Sequence, residues 1–150
     1  MAEEQLVFTL EGGDVVIKLR PDLAPKHVEQ ITKLARDGFY DGLTFHRVID
    51  GFVAQGGCPN GNGMGGSGTN IPAEFSAEPH KRGTMSMARA ADPDSASSQF
   101  FICLDAVPYL DNQYTVWGEV VSGMEHVDAL PKGEPPAKPG KIVKASVVEA

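Results

Sequence analysis

Cysteine, clustered basic charge and long apolar runs are what this chain has least of. Two cysteines, Cys58 and Cys103, cannot build a disulfide framework in a chain of 150 residues. One lies in a Gly-rich stretch and the other in an apolar run, so both read as free thiols of a reducing compartment. Cys58 has no C-x-x-C partner, and His27, His46, His80 and His126 show neither H-x-H nor H-x-x-x-H spacing. The sequence therefore offers no metal-ligand set. Lys and Arg number 13 against 20 Asp and Glu, for a formal net charge of −7, and no basic cluster occurs. That excludes a nucleic-acid backbone as partner. No stretch approaches the ~20 apolar residues of a membrane span. The acidic opening Met1-Ala2-Glu3-Glu4-Gln5 is not followed by the apolar run of a secretory signal. A cytoplasmic protein is expected.

Two chemical motifs fail for want of context. Gly61-Asn62-Gly63-Met64-Gly65-Gly66 matches G-x-G-x-x-G, but Ser67-Gly68-Thr69-Asn70-Ile71-Pro72 cannot start the helix that would receive a pyrophosphate. Cys103 and His46 could be imagined as nucleophile and base. The cysteine, however, sits mid-strand with no cation or helix N-terminus nearby in sequence to activate it.

What is present is an ordinary globular composition, 41% hydrophobic and 22% charged, in a chain long enough to bury roughly 70% of its unfolded surface. Residues 1–150 are expected to form a single domain. Leu6–Leu10 and Val15–Leu19 flank Glu11-Gly12-Gly13-Asp14, a hairpin signal. Pro25 suits a first helical position, Val28, Ile31, Leu34 and Ala35 give a helical stripe, and Gly38 closes it. Further strands are predicted at 44–49, 52–56, 83–88, 99–104, 115–121 and 142–149. A short helix is predicted from Gly123 to Leu130, stopped by Pro131. Segments 57–72 and 131–140 are loops by their Gly and Pro content. Eight short strands with two helices is a mostly β chain; periodicity alone allows a barrel or a sandwich.

The informative run is Phe45-His46-Arg47-Val48-Ile49-Asp50-Gly51-Phe52-Val53-Ala54-Gln55-Gly56-Gly57. Alternation puts Phe45, Arg47 and Ile49 on one face and pairs Val53 with Gln55. An isolated Arg in an edge hairpin is ordinarily a solvated surface residue. A second run of the same character argues otherwise. In Ser98-Gln99-Phe100-Phe101-Ile102-Cys103, Gln99 shares a face with Phe101 while Phe100 and Ile102 point to a core. Amides beside apolar side chains are awkward in a closed interior, since each must find partners. An outer groove accommodates both.

These segments resemble the cyclophilins, the peptidyl-prolyl cis/trans isomerases. The matching stretches are FHRVIDGFVAQGG at 45–57, GTMSMAR at 83–89, SSQFFIC at 97–103 and YTVWGEVVSGMEHVD at 114–128, with LEGGDVVIKLRPDLAPKHVEQITKLARDGFYDGLTFHR fitting as well. The resemblance covers nearly the whole chain. It implies a closed eight-stranded antiparallel barrel capped by two α-helices. It also implies an isomerase that turns over Xaa-Pro bonds without metal or cofactor, assists protein folding and works as a monomer. The partners it implies are proline-containing peptides and unfolded or folding clients, with no nucleic acid or membrane.

By motif position, the resemblance makes Arg47 the catalytic donor and Gln55 a ligand of the substrate carbonyl. It makes Phe52, Val53, Phe101 and Leu110 the pocket for the proline ring. Ala88 and Arg89 would present backbone groups to the residue before proline, Gln99 would line the groove, and Tyr109 and Tyr114 would occupy the rim. Val53 stands where Met is usual in eukaryotic members, Arg89 where Asn is, Tyr109 where Trp is, and Tyr114 where His is. The last three choices look bacterial and imply weak cyclosporin binding. Cys58 stands where an Asp commonly follows Gln-Gly-Gly. Two other readings are open on the residues alone: a module that binds Pro-containing segments without turning them over, and a small-ligand barrel with an internal cavity.

Overall fold

Alternating apolar residues build the first hairpin. Leu6, Phe8 and Leu10 on β1 (Glu4–Leu10) and Val15, Ile17 and Leu19 on β2 (Asp14–Leu19) all turn inward and are buried. A computed structural model describes residues 4–59, 66, 67, 69–89, 92, 94–111, 113–133 and 136–149, with backbone alone for Glu4, Tyr109 and Glu149. Most of the G-x-G-x-x-G stretch, residues 61–65, thus lies outside the described residues. The residues after it that are described, 66, 67, 69 and 70, form no helix.

Helix α1 (Pro25–Arg36) starts at its proline and buries Val28, Ile31, Leu34 and Ala35, as the stripe predicts. Its N-cap residue, Ala24, has no capping side chain. The Glu74 carboxylate does this work from across the chain, accepting from the backbone N–H groups of His27 at 2.8 Å and Lys26 at 3.3 Å.

The remaining elements are β3 (Arg47–Ile49), β4 (Val53–Gly56), β5 (Thr84–Met87), β6 (Phe100–Cys103), a 3-10 turn at Pro108–Leu110, β7 (Val116–Ser122), α2 (Met124–Asp128) and β8 (Ile142–Glu149). Helix α2 is shorter than predicted. Gly123 caps it in the left-handed region at φ 87°, where an added Cβ would collide with the Asp14 carbonyl. Among the described residues no helix is long and apolar enough to cross a membrane.

The strands form one antiparallel sheet in the order β3-β4-β6-β5-β7-β2-β1-β8. It curls, but no ladder joins β3 to β8, so the closed barrel expected from the resemblance is an open half-barrel. The predicted strand 44–49 is a ladder only over Arg47–Ile49. Its other side meets the 131–141 segment through isolated bridges, Val48 to Gly133 and Thr44 to Lys141. Prolines at 131, 135, 136 and 139 deny that segment the N–H groups a continuous ladder needs.

The inside of the curl is packed with rings. Phe100 contacts Phe8 at 5.1 Å between centroids, Tyr40 at 5.7 Å, Phe45 at 6.0 Å and Trp117 at 6.5 Å. The Tyr40 hydroxyl donates to the Ser98 carbonyl at 3.0 Å. A second, smaller apolar cluster of Val53, Phe101, Cys103, Val107 and Leu110 lies apart from this core, with Phe52, Ala88 and Tyr114 packed at its edge. Consecutive residues of β6 divide between the two: Phe100 and Ile102 belong to the core, Phe101 and Cys103 to the outer cluster.

Candidate active site

Strand register assembles the site. Arg47 stands opposite Gln55, Gln55 opposite Phe101, and Phe101 opposite Ser86. Directly opposed residues project to the same face of an antiparallel sheet, so these side chains form one row across β3, β4, β6 and β5. Arg47 Nη1 donates to Gln55 Oε1 at 3.3 Å, and Gln55 Nε2 donates to Gln99 Oε1 at 3.0 Å. The guanidinium is thereby held beside apolar surface, 5.9 Å from the centre of the Phe52 ring. Phe52 sits in the turn between β3 and β4 rather than in the predicted strand. Gly51, at φ 70°, makes that turn, and the Phe52 carbonyl accepts from the Leu104 N–H at 2.8 Å.

Phe101 is only 5% exposed. Its ring meets Tyr114 edge-on at 5.4 Å and lies nearly parallel to the His80 imidazole at 6.0 Å. The buried His80 ring has Nδ1 3.0 Å from Asp111 Oδ1 and Nε2 2.9 Å from Ser86 Oγ. Burial pushes the His80 pKa down, against the opposing pull of its hydrogen bond to Asp111 and of the carboxylate charge. The Asp111 carboxyl is held below its usual range, chiefly by the backbone N–H of His80 at 2.7 Å.

Burial pushes the Cys103 thiol up to about 12. A group that stays protonated is the reverse of an activated nucleophile. Neither Cys58 nor Cys103 is in a disulfide, and both are buried. His46 is buried as well; burial and then the Arg47 charge lower its pKa, and among the described residues Nδ1 has no partner. No group of three metal-ligating side chains occurs among the described residues.

At the rim, Leu110 ends the 3-10 turn and joins the apolar cluster. Tyr109 is in the same turn, and its side chain lies outside the described residues. Ala88 donates its N–H to the Gln99 carbonyl at 3.0 Å. The Arg89 guanidinium lies 4.9 Å from the Tyr114 ring centre and 5.6 Å from that of Phe75. Arg47, Gln55 and Gln99 are thus linked to one another, and Phe52, Val53, Phe101, Leu110, Ala88 and Tyr114 share the adjoining cluster. Arg89 is at its edge.

Sequence reasoning missed His80, Ser86 and Asp111 behind Phe101, and Phe75 at the rim. The three polar residues are brought together by β5 and two loops, and no spacing in the chain announces them. Phe75 lies among Glu, Ser and Pro with no periodicity to read.

A family profile described as "Cyclophilin type peptidyl-prolyl cis-trans isomerase/CLD" matches residues 6–147. The chain belongs to the cyclophilin family. A probable peptidyl-prolyl cis-trans isomerase of Brucella suis is 51% identical, over 97% of this chain and 83% of that protein. Peptidyl-prolyl cis-trans isomerase B of Bacillus subtilis is 48% identical, over 85% of this chain and 90% of that one. Among solved structures, cyclophilin AquaCyp293 from Hirschia baltica superposes with a TM-score of 0.87 at 28% identity, covering 97% of this chain and 79% of that one. A Cryptosporidium parvum cyclophilin type peptidyl-prolyl cis-trans isomerase, crystallised in the presence of the dipeptide Ala-Pro, gives 0.90 at 29% identity, covering 97% and 99%. This cyclophilin is accordingly a peptidyl-prolyl cis-trans isomerase.

Proposed function

We propose that Arg47 drives the isomerisation by donating a hydrogen bond to the prolyl nitrogen in the twisted state. Resonance across the C–N bond gives the amide a barrier of ~18–20 kcal/mol. Twisting the bond localises the lone pair on nitrogen, which becomes a hydrogen-bond acceptor it was not in either planar isomer. A donor aimed there binds the twisted state better than the ground states, and only such differential binding speeds the reaction. A guanidinium suits the task because it stays charged and its donors are fixed in a plane. No covalent intermediate forms.

The observation that carries this reading is the Arg47 guanidinium, hydrogen-bonded to Gln55 at the border of a small apolar cluster outside the main core. Phe52, Val53, Phe101 and Leu110 would take the prolyl ring. Gln55 would meet the substrate carbonyl, with Gln99 lining the groove and Ala88 and Arg89 offering backbone groups. The physiological substrates are then prolyl peptides in unfolded or folding clients, whose slow Xaa-Pro steps the enzyme shortens as a monomer in the cytoplasm.

The test is turnover of Xaa-Pro peptides by protease-coupled or NMR exchange measurement. Removing one preorganised donor commonly lowers the rate ~10²–10³-fold, and Arg47→Ala is expected to do so while staying folded. Arg47→Lys is expected to be poor as well, because an ammonium lacks the planar fork. Near-normal turnover by folded Arg47→Ala would refute the assignment.

A further inference from the structure

The rim beyond Tyr114 carries a fixed cation. Arg89 follows β5 by two residues, and both Nε and Nη2 donate to the Gln113 carbonyl, at 3.0 and 2.8 Å. The same guanidinium lies over the rings of Tyr114 and Phe75. Phe75 is 40% exposed, and the backbone leading to it is tied down. The Ala73 N–H donates to the Asp94 carboxylate at 2.9 Å and the Glu74 N–H to Thr115 Oγ1 at 3.0 Å, while the Glu74 carboxylate is engaged at the start of α1. Phe101, Tyr114, Arg89 and Phe75 form a file of successive contacts leading from the apolar cluster out to solvent.

We propose that Arg89, held by Gln113, Tyr114 and Phe75, is a charge-selecting subsite that favours peptides with a carboxylate side chain within two residues of the proline. The proposal rests on the reading of this groove as the prolyl site. A guanidinium cannot lose its charge at working pH, and one already held in place loses little rotamer freedom on pairing. Its position beside the cluster puts it within reach of side chains flanking a bound proline, whereas the task assigned to Arg47 concerns the prolyl bond common to all substrates. Asp92 and Asp94 follow in the chain, their carboxylates accepting from the N–H groups of Asp94 and Ala73, each at 2.9 Å. An exposed ion pair supports about a two- to fivefold preference.

The experiment is kcat/KM for peptides that differ only in carrying Glu, Gln or Lys at one position, scanned over the two residues on either side of proline. At one flanking position the Glu/Lys ratio is expected to exceed one by about two- to fivefold and to shrink as salt is raised. In Arg89→Gln that ratio should move to about one, and in Arg89→Glu it should invert, whatever happens to turnover of the Gln peptide. Using a ratio separates charge selection from any general loss of binding in the variants, and from attraction by Arg47, which both variants keep. A ratio near one at every position in the wild type, or an unchanged ratio in Arg89→Glu, overturns the subsite while leaving the prolyl reading intact. Absence of turnover with all peptides overturns both.

Discussion

The ring of Phe101 rests on the imidazole of His80, centroids 6.0 Å apart and planes 20° from parallel. The floor of the apolar cluster therefore stands on a polar assembly, His80 with Asp111 and Ser86, rather than on more hydrocarbon. The hydrogen bond to Ser86 is buried and the one to Asp111 partly so, and loss of the imidazole removes both from beneath the ring. His80→Ala is expected to cost about 1–3 kcal/mol of stability, and to lower kcat/KM by letting Phe101 shift. Phe101→Ala is expected to cost more, about 3–5 kcal/mol for a well-buried ring, together with most substrate capture. Urea unfolding read beside turnover checks both. Unchanged stability in His80→Ala would mean that the assembly does not support the floor.

Stability should fall on the acid side of neutrality. Burial is the largest influence on His27, His46 and His80, and it lowers each below the ordinary 6.5. Near pH 6 each therefore binds fewer protons folded than unfolded, and stability rises with pH. The contribution is whole above 6.5 and is lost as pH falls from there through the depressed folded values. The depressed Asp111 carboxyl acts in a separate, lower window, below its ordinary 3.8. The urea midpoint is expected to be flat above about pH 7 and to drop as pH falls below 6.5. His80→Gln should reduce that slope by up to about 1.4 kcal/mol per pH unit. A midpoint that rises as pH falls through 6 would reverse the sign and refute the account.

Much of the fold and part of the site were legible in the sequence, and the division has a physical cause. Alternation in Leu6–Leu10, Val15–Leu19 and Gln99–Cys103 assigned faces correctly, because a period of two leaves no choice once one face is buried. The Arg47-Gln55 register was not legible: a two-residue Asp50-Gly51 turn would set Ile49 opposite Phe52, whereas Phe52 joins the turn and Ile49 stands opposite Val53. Nor was the contribution of His80, Ser86 and Asp111, since contacts between loops and strands distant in sequence leave no period. Barrel closure failed for a local reason. The residues facing β3 are a proline-rich loop, whose missing N–H groups prevent a ladder.

The Arg47-Gln55-Gln99 chain gives Gln55 two duties. Its Oε1 accepts from Arg47 and its Nε2 donates to Gln99, so a substrate carbonyl must share or displace that second bond. Gln55→Ala removes a neutral hydrogen bond worth about 0.5–1.5 kcal/mol, or about two- to tenfold in kcat/KM. It also loosens Arg47. The loss should therefore appear in kcat as well as in KM. Gln99→Ala, one step further from the guanidinium, should act through KM with kcat nearly preserved. Equal kcat losses in the two variants would show that Gln55 does not position Arg47.

Sensitivity to cyclosporin, the cyclic-peptide inhibitor associated with cyclophilins, should be weak. Tyr109 stands in the Pro108–Leu110 turn beside Leu110, where the family's eukaryotic members usually carry Trp. An indole supplies an N–H donor and a broad apolar face. Tyrosine keeps a ring but carries its polar group at another place, so a ligand carbonyl that would meet the indole N–H goes unpaired. Such a loss costs about 1–3 kcal/mol, or about 5–150-fold in affinity. A prolyl substrate is smaller and depends mainly on Arg47 and on the Phe52, Phe101 and Leu110 surfaces, so turnover should suffer far less. Tyr109→Trp is accordingly expected to tighten inhibition without a comparable gain in kcat/KM. Inhibitor titration of both proteins decides it; equal inhibition constants would mean that position 109 does not set sensitivity.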